Sequence, residues 1–144
     1  MKRYVYVIAV VLIMLLIYFL SSISNLSFFH GQLPQQLRWL SKYSISIGKS
    51  GFFSYVISLH PDWIIHKLGH FVMYGMLGAA LYMATGKSVS KAMLVTVLFA
   101  VSDELHQGFV AGRSSRLGDI ILDTASASLF IFILYKKIKN RHIK

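Results

Sequence analysis

Between Arg3 and Ser21 the chain places 17 successive apolar residues, Tyr4 to Leu20. With Ser21 to Ile23 added, this run crosses the ~30 Å hydrocarbon core of a bilayer at ~1.5 Å of helix per residue. A cleaved leader is the rival reading, but leader cores usually stop near ~15 residues and end in a small-x-small site. SSISN, which follows Leu20, offers no such site. The expectation is a retained first span over residues 4–23. The whole composition fits the same solvent. Hydrophobic residues make up 56% and charged ones 14%, and the mean hydropathy is +0.61. A water-soluble fold normally carries about 25% charged residues.

Three further segments are apolar enough to continue the pattern. Residues 63–85 predict a second span interrupted by His66, Lys67 and His70. GKSVSK (86–91) is a basic turn, and residues 92–110 predict a third span that must carry Asp103, Glu104, His106 and Gln107. AGRSSR (111–116) is a polar turn before a fourth span over 117–135, which carries Asp119 and Asp123. Residues 24–62 hold Gly31, Pro34, Gly48, Gly51 and Pro61 as breakers. They read as an extracytoplasmic loop lying partly on the membrane surface, with Leu37, Trp39, Leu40 and Tyr43 as an interfacial face. The expected architecture is all-α: one domain, 1–144, folded as an integral membrane bundle of four transmembrane helices.

Charge supplies an orientation. The net charge is +10 and there are no cysteines, so disulfides and thiolate metal sites are excluded. Lysine and arginine favour the cytoplasmic side of short loops. With the N-terminus inside, Lys2, Arg3, Lys87, Lys91, Lys136, Lys137, Lys139, Arg141 and Lys144 lie inside. Arg38, Lys42, Lys49, Lys67, Arg113 and Arg116 lie outside, a bias of nine to six. Both termini are expected in the cytoplasm. The basic ends suit anionic lipid headgroups, so membrane lipids are partners and nucleic acid is not. The sequence sets no oligomeric state.

Four of the five acids, Asp103, Glu104, Asp119 and Asp123, sit in or beside the spans. Helical spacing gathers them. Lys67, His70 and Tyr74 follow one stripe of the second helix, Asp103, His106 and Gln107 share a face of the third, and Arg116, Asp119, Asp123 and Ser126 align on the fourth. Counted from outer ends at Trp63, Val110 and Leu117, His70 and Asp103 lie ~10 Å deep and Asp123 ~9 Å. Charges at such depth must face inward and satisfy one another, or line a wet cavity. Gly75, Gly78 and Ala79, with Ala125, Ser126 and Ala127, read as plain helix packing.

Several chemistries fit that cluster. Lys67, Arg113 and Arg116 can hold a phosphate or carboxylate, since arginine presents a bidentate fork. Asp103 or Glu104 with His106 could then act as acid and base. The other ligand-binding candidates are His70, Tyr74, Gln107, Asp119 and Asp123. Such a site facing outward would suit a lipid-linked or cell-wall-related ligand, such as a lipid-linked envelope precursor. The alternative is a non-catalytic or structural cluster whose ion pairs only fix the helices. No cofactor or metal is expected, although His66 and His70 have the spacing of two imidazole ligands on one helix face. Proton or ion transport is a further alternative, but paired broken helices are missing.

The segments HKLGHFVMYGMLG (66–78) and DELHQGFVAGRSSRLGDIILDT (103–124) resemble the VanZ-like family of bacterial membrane proteins. Lys67, His70, Phe71 and Tyr74 match its first motif. Asp103, Glu104, Gln107, Gly112, Arg113, Asp119 and Asp123 match the next two, and Ser21 and Ser22 fit its habit after the first helix. His66 stands where the family usually has an acid, Ala111 where proline is common, and Ala125 and Ser126 replace a glycine-rich helix start. The resemblance implies a cell-envelope protein, and the founding member is associated with low-level resistance to teicoplanin, a glycopeptide antibiotic.

Overall fold

A computed structural model describes residues 3–24, 29, 33–48 and 51–141. Lys2, Lys49 and Lys144 of the charge count, and Gly31 of the breakers, lie outside them. Four helices dominate: α1 (Arg3–Ser22), α2 (Pro61–Ala84), α3 (Val89–Gln107) and α4 (Leu117–Arg141). Three of them, α1, α2 and α4, are long and apolar enough to cross a membrane. They make this a membrane-embedded protein. α3 is not in that group, because its 19 residues include Lys91, Asp103 and Glu104.

The expectation of a purely helical chain needs one correction. Between α1 and α2 lie a short 3-10 helix (Gln35–Lys42) and two antiparallel strands, β1 (Ser44–Ile47) and β2 (Tyr55–Ser58), with Ser44 opposite Ser58 and Ile47 opposite Tyr55. Residues 52–59, too short to span, use β-branched and aromatic residues to pair instead. Trp39 and Tyr43 of the expected interfacial face are exposed, their rings packed edge to face.

Local chemistry sets the helix ends. Pro61 occupies the first turn of α2, and the His60 ring accepts from the Asp62 main-chain N at 3.2 Å. Ser88 caps α3, and Gly108 ends it three residues earlier than the apolar run suggests. Between α2 and α3 the backbone turns through Gly86 at φ +72° and Lys87 at φ +66°, the left-handed region that glycine enters most easily. These shifted ends change the depth count: from Gln107, Asp103 lies ~6 Å along the helix, not ~10 Å.

The helices run alternately up and down. Arg3 Nε donates to Ala84 O at 2.6 Å, which joins the start of α1 to the end of α2. Lys67 near the start of α2 meets Asp119 near the start of α4, so those two helices run parallel. All four therefore traverse between the same two ends. α2 and α4 share the most extensive interface, and small residues explain it. A Cβ on Gly75 would meet the Phe130 ring at 2.6 Å, and one on Gly78 would meet Ala127 Cβ at 2.7 Å. The Ser126 hydroxyl donates to the Phe71 carbonyl across the same seam. Ala125 is exposed and takes no part.

The outer surface is apolar. Ile8, Leu12, Leu15 and Phe19 of α1, Leu94, Leu98, Val101 and Leu105 of α3, and Ile121, Phe132 and Ile133 of α4 are all exposed. In water such a continuous apolar surface would drive association, whereas in a bilayer it is the solvated face. Gly78→Leu is expected to force α2 and α4 apart, at a cost of about 1–3 kcal/mol for an overpacked seam. A thermal melt of the purified protein in detergent reads this as a lowered midpoint, against no loss for Leu94→Ile on the exposed face.

Candidate functional site

At the end of the bundle where α2 and α4 begin, polar side chains form two layers. The outer layer centres on the ion pair between Lys67 and Asp119, both mostly buried. Asp119 lies in the first turn of α4, where the helix dipole favours a carboxylate. The Lys67 ammonium also stands 5.3 Å from the Tyr55 ring and 5.8 Å from that of Trp63, close enough for cation–π attraction. Tyr55 comes from β2, and it explains Gly118: a Cβ there would fall 2.2 Å from the Tyr55 ring. Phe52 O accepts from Leu117 N at 2.9 Å, so the hairpin is tied to the start of α4.

Two arginines complete this layer. Arg113 Nη2 donates to Leu20 O at 2.7 Å and Nε to Ile23 O at 3.2 Å. Those carbonyls lie at the end of α1, where helix C-termini attract cations. Arg113 Nη1 lies 3.2 Å from His66 Nε2, which accepts, because a guanidinium can only donate. Burial lowers the Arg113 pKa from its ordinary value, while the charges of Asp103 and Glu104 oppose that shift. Arg116 Nε donates to Ser114 Oγ at 2.9 Å. Among the described residues neither arginine has a carboxylate ion-pair partner.

The inner layer is sealed. His70 Nδ1 lies 3.3 Å from Asp123 Oδ2. Tyr74 Oη donates to Asp103 Oδ2 at 3.1 Å, and Gln107 Nε2 donates to the same oxygen at 3.1 Å and to Ser21 Oγ at 3.3 Å. Tyr74 and Asp123 are 0% exposed, Gln107 2% and Asp103 4%. Glu104, also 0% exposed, accepts from the Arg116 main-chain N at 2.6 Å, and so fixes the turn that leads into α4. The second oxygens of Asp103, Glu104 and Asp123 have no hydrogen-bond partner among the described residues.

The structure thus brings Lys67, His70, Tyr74, Asp103, Glu104, Gln107, Arg113, Arg116, Asp119 and Asp123 to one end of the bundle. It does not bring His106 to the carboxylates. That ring turns to α1, where it stacks on Tyr18 at 4.5 Å and lies 2.9 Å from Ser22 Oγ. The acid–base set suggested by sequence proximity is therefore not assembled. His66 and His70 have rings 4.8 Å apart, but Arg113 occupies one and Asp123 the other. Among the described residues no three His, Cys, Asp or Glu side chains group as metal ligands.

The outer layer is open. Lys67, His66, Arg113, Arg116, Asp119 and Asp62 line a cavity of about 330 Å³. Among its lining residues three cations face two carboxylates, with Asp103 and Glu104 set behind Arg113.

A family model described as VanZ/LLP1 matches residues 4–139. The chain belongs to the VanZ/LLP1 family. No curated protein and no solved structure gives a match. The match spans all four helices, so both polar layers lie within the family's domain. In this VanZ/LLP1 chain His66 accepts from Arg113 without cancelling its charge. Sequence reasoning missed Tyr55, Trp63 and Gly118. A lone aromatic in a short strand carries no periodic signal, and Gly118 is explained only by the ring it faces.

Two outcomes test this geometry. Glu104→Ala leaves the Arg116 N–H without its acceptor and is expected to cost about 1–3 kcal/mol, whereas Glu104→Gln keeps an acceptor oxygen and costs less. Thermal melts in detergent separate the two. Burial, then the adjacent Asp119 carboxylate, push the Tyr55 hydroxyl from 10.0 up to about 12. Because the folded value is raised, the contribution to stability is fully present below pH 10 and is lost as pH rises through about 12. The ultraviolet titration difference between the native chain and Tyr55→Phe should show one phenol ionising late. An ordinary midpoint for that difference overturns the assignment.

Proposed function

We propose that this chain is a multi-pass envelope protein with four crossings and both termini in the cytoplasm, whose outward cavity holds the anionic group of a lipid-linked or cell-wall-related ligand. The observation that carries the reading is the pair of arginines, Arg113 and Arg116, which line the cavity beside Lys67 with no carboxylate ion-pair partner among the described residues. A phosphate or carboxylate entering there gains charge-assisted hydrogen bonds from cations already held in place.

Support for α3 as the fourth crossing comes from its faces. Its acids turn inward, and Leu94, Leu98, Val101 and Leu105 turn outward. Its acids thus face protein and not lipid, with Asp103 taking Tyr74 of α2 and Glu104 the Arg116 main-chain N as partners. Lys87, Lys91, Lys136, Lys137, Lys139 and Arg141 gather at the end opposite the cavity, which by the positive-inside bias is the cytoplasmic one. Kinship with VanZ extends the reading to altered sensitivity toward teicoplanin.

The buried inner layer favours a second role for its own residues. Asp103, Tyr74, Gln107 and Asp123 hold three helices in register. The two roles separate by mutation in a teicoplanin-susceptible bacterium that expresses the chain. Arg116→Gln is expected to abolish the change in sensitivity with abundance and melting midpoint intact. Asp103→Ala is expected to lower abundance and midpoint together. A stable Arg116→Gln protein with the full native effect would overturn the binding reading.

A further inference from the structure

A second hollow of about 180 Å³ runs between α1 and α2, lined by Ile17 and Leu20 on one side and Ile65, Gly69 and Met73 on the other. Most of its exposed wall is apolar, with Ser21, His70 and Tyr74 also in the lining and His66 and Arg113 at one end. The same two residues line the cationic cavity. Arg113 and His66 therefore stand at the boundary between the two hollows. From His66 to Met73 the hollow follows α2 for ~10 Å toward the bilayer middle. A charged end at the level of the helix termini and an apolar trough below it repeat the polarity of a membrane lipid.

Gly69 gives the trough its width. The three glycines of α2 face different surroundings. Gly75 and Gly78 are held bare by the Phe130 ring and by Ala127, whereas a Cβ on Gly69 would meet nothing within 4 Å. Glycine in a helix interior costs about 1 kcal/mol relative to alanine. At Gly75 and Gly78 close helix contact offsets that cost. At Gly69 packing does not, and what the missing side chain leaves is open space in the trough.

We propose that the α1–α2 trough seats one hydrocarbon chain of a phosphate-headed membrane lipid, with the phosphate held beside Arg113 in the cavity that Lys67 and Arg116 share. This rests on the anion-binding reading above and adds the chain-binding half of the site. The cations select the head, and Arg113, which lines both hollows, marks where the chain leaves it. His70 and Tyr74, whose rings stack at 6.0 Å with 10° between planes, form the floor of the trough beyond the head. They place the sealed inner layer directly against the chain.

The test uses the full-length protein in a neutral detergent and dodecyl phosphate as probe, with retained copies counted by native mass spectrometry. A Cβ at Gly69 meets nothing within 4 Å, so Gly69→Leu puts its branch into the trough, and its melting midpoint should equal or exceed the native one. Its affinity for dodecyl phosphate should fall about tenfold or more, the equivalent of two methylenes denied burial. Ile65→Trp is a second obstruction from the other turn of α2 and should act likewise. Arg116→Gln should weaken the probe while leaving the trough intact, and uncharged dodecanol should be retained far less than the phosphate.

If Gly69→Leu and Ile65→Trp both bind dodecyl phosphate like the native chain while Arg116→Gln loses it, the trough proposal is overturned and the anion site stands. If Arg116→Gln and the native chain retain the probe equally, or dodecanol binds as well as the phosphate, both readings fall.

Discussion

Two parallel helices joined by polar pairs hold the rest of this protein in place. Lys67 meets Asp119 and His70 meets Asp123, so charged and polar groups repeat along the α2–α4 seam at matching helical intervals. Just below, Ser126 donates to the Phe71 carbonyl, and Gly75 and Gly78 let the backbones close up. In a bilayer these are strong constraints, because lipid offers no alternative partner to a charge and little difference in apolar attraction between one helix face and another. A rotated or slipped α4 would leave Asp119 and Asp123 facing hydrocarbon. The seam therefore fixes both the register and the facing of the two helices.

Everything on the polar face is hung from that seam. α3 enters because Asp103 accepts from Tyr74 of α2 and Glu104 accepts from the turn before α4. α1 enters because Gln107 reaches Ser21 and Arg113 reaches the carbonyls of Leu20 and Ile23. The hairpin enters through Tyr55, whose ring covers Lys67 and excludes any side chain from Gly118. The result divides labour by depth. The buried acids lie inside, each with one oxygen paired, and Arg113 and Arg116, which have no carboxylate ion-pair partner among the described residues, line the opening with the Lys67–Asp119 pair.

Much of this was legible in the sequence. The apolar run of α1, the polar stripe Lys67, His70, Tyr74 and the inward acids followed from helical period and from the cost of charge in lipid. The motif segments 66–78 and 103–124 pointed to the family that the match over residues 4–139 establishes. Other features were not legible. Periodicity put His106 on the face of Asp103, yet the ring turns to α1, since Tyr18 and Ser22 offer stacking and a hydrogen bond. The third helix was drawn to Val110, but Gly108 stops it at Gln107. The β1–β2 pairing joins segments separated by a turn with no strong hairpin signal.

Sequence alone determined the solvent, the helices and the inventory of groups that must find partners, because hydropathy and helical period act locally along the chain. It could not assign the partners. Glu104 and Asp103 are adjacent in sequence, yet one holds a backbone turn and the other a tyrosine and a glutamine on two different helices. Likewise, three glycines on one helix look alike in sequence, and only the packed neighbours distinguish the two that close a seam from the one that leaves a trough open. Tertiary structure decided these things because pairing and empty space are properties of surfaces brought together from distant parts of the chain.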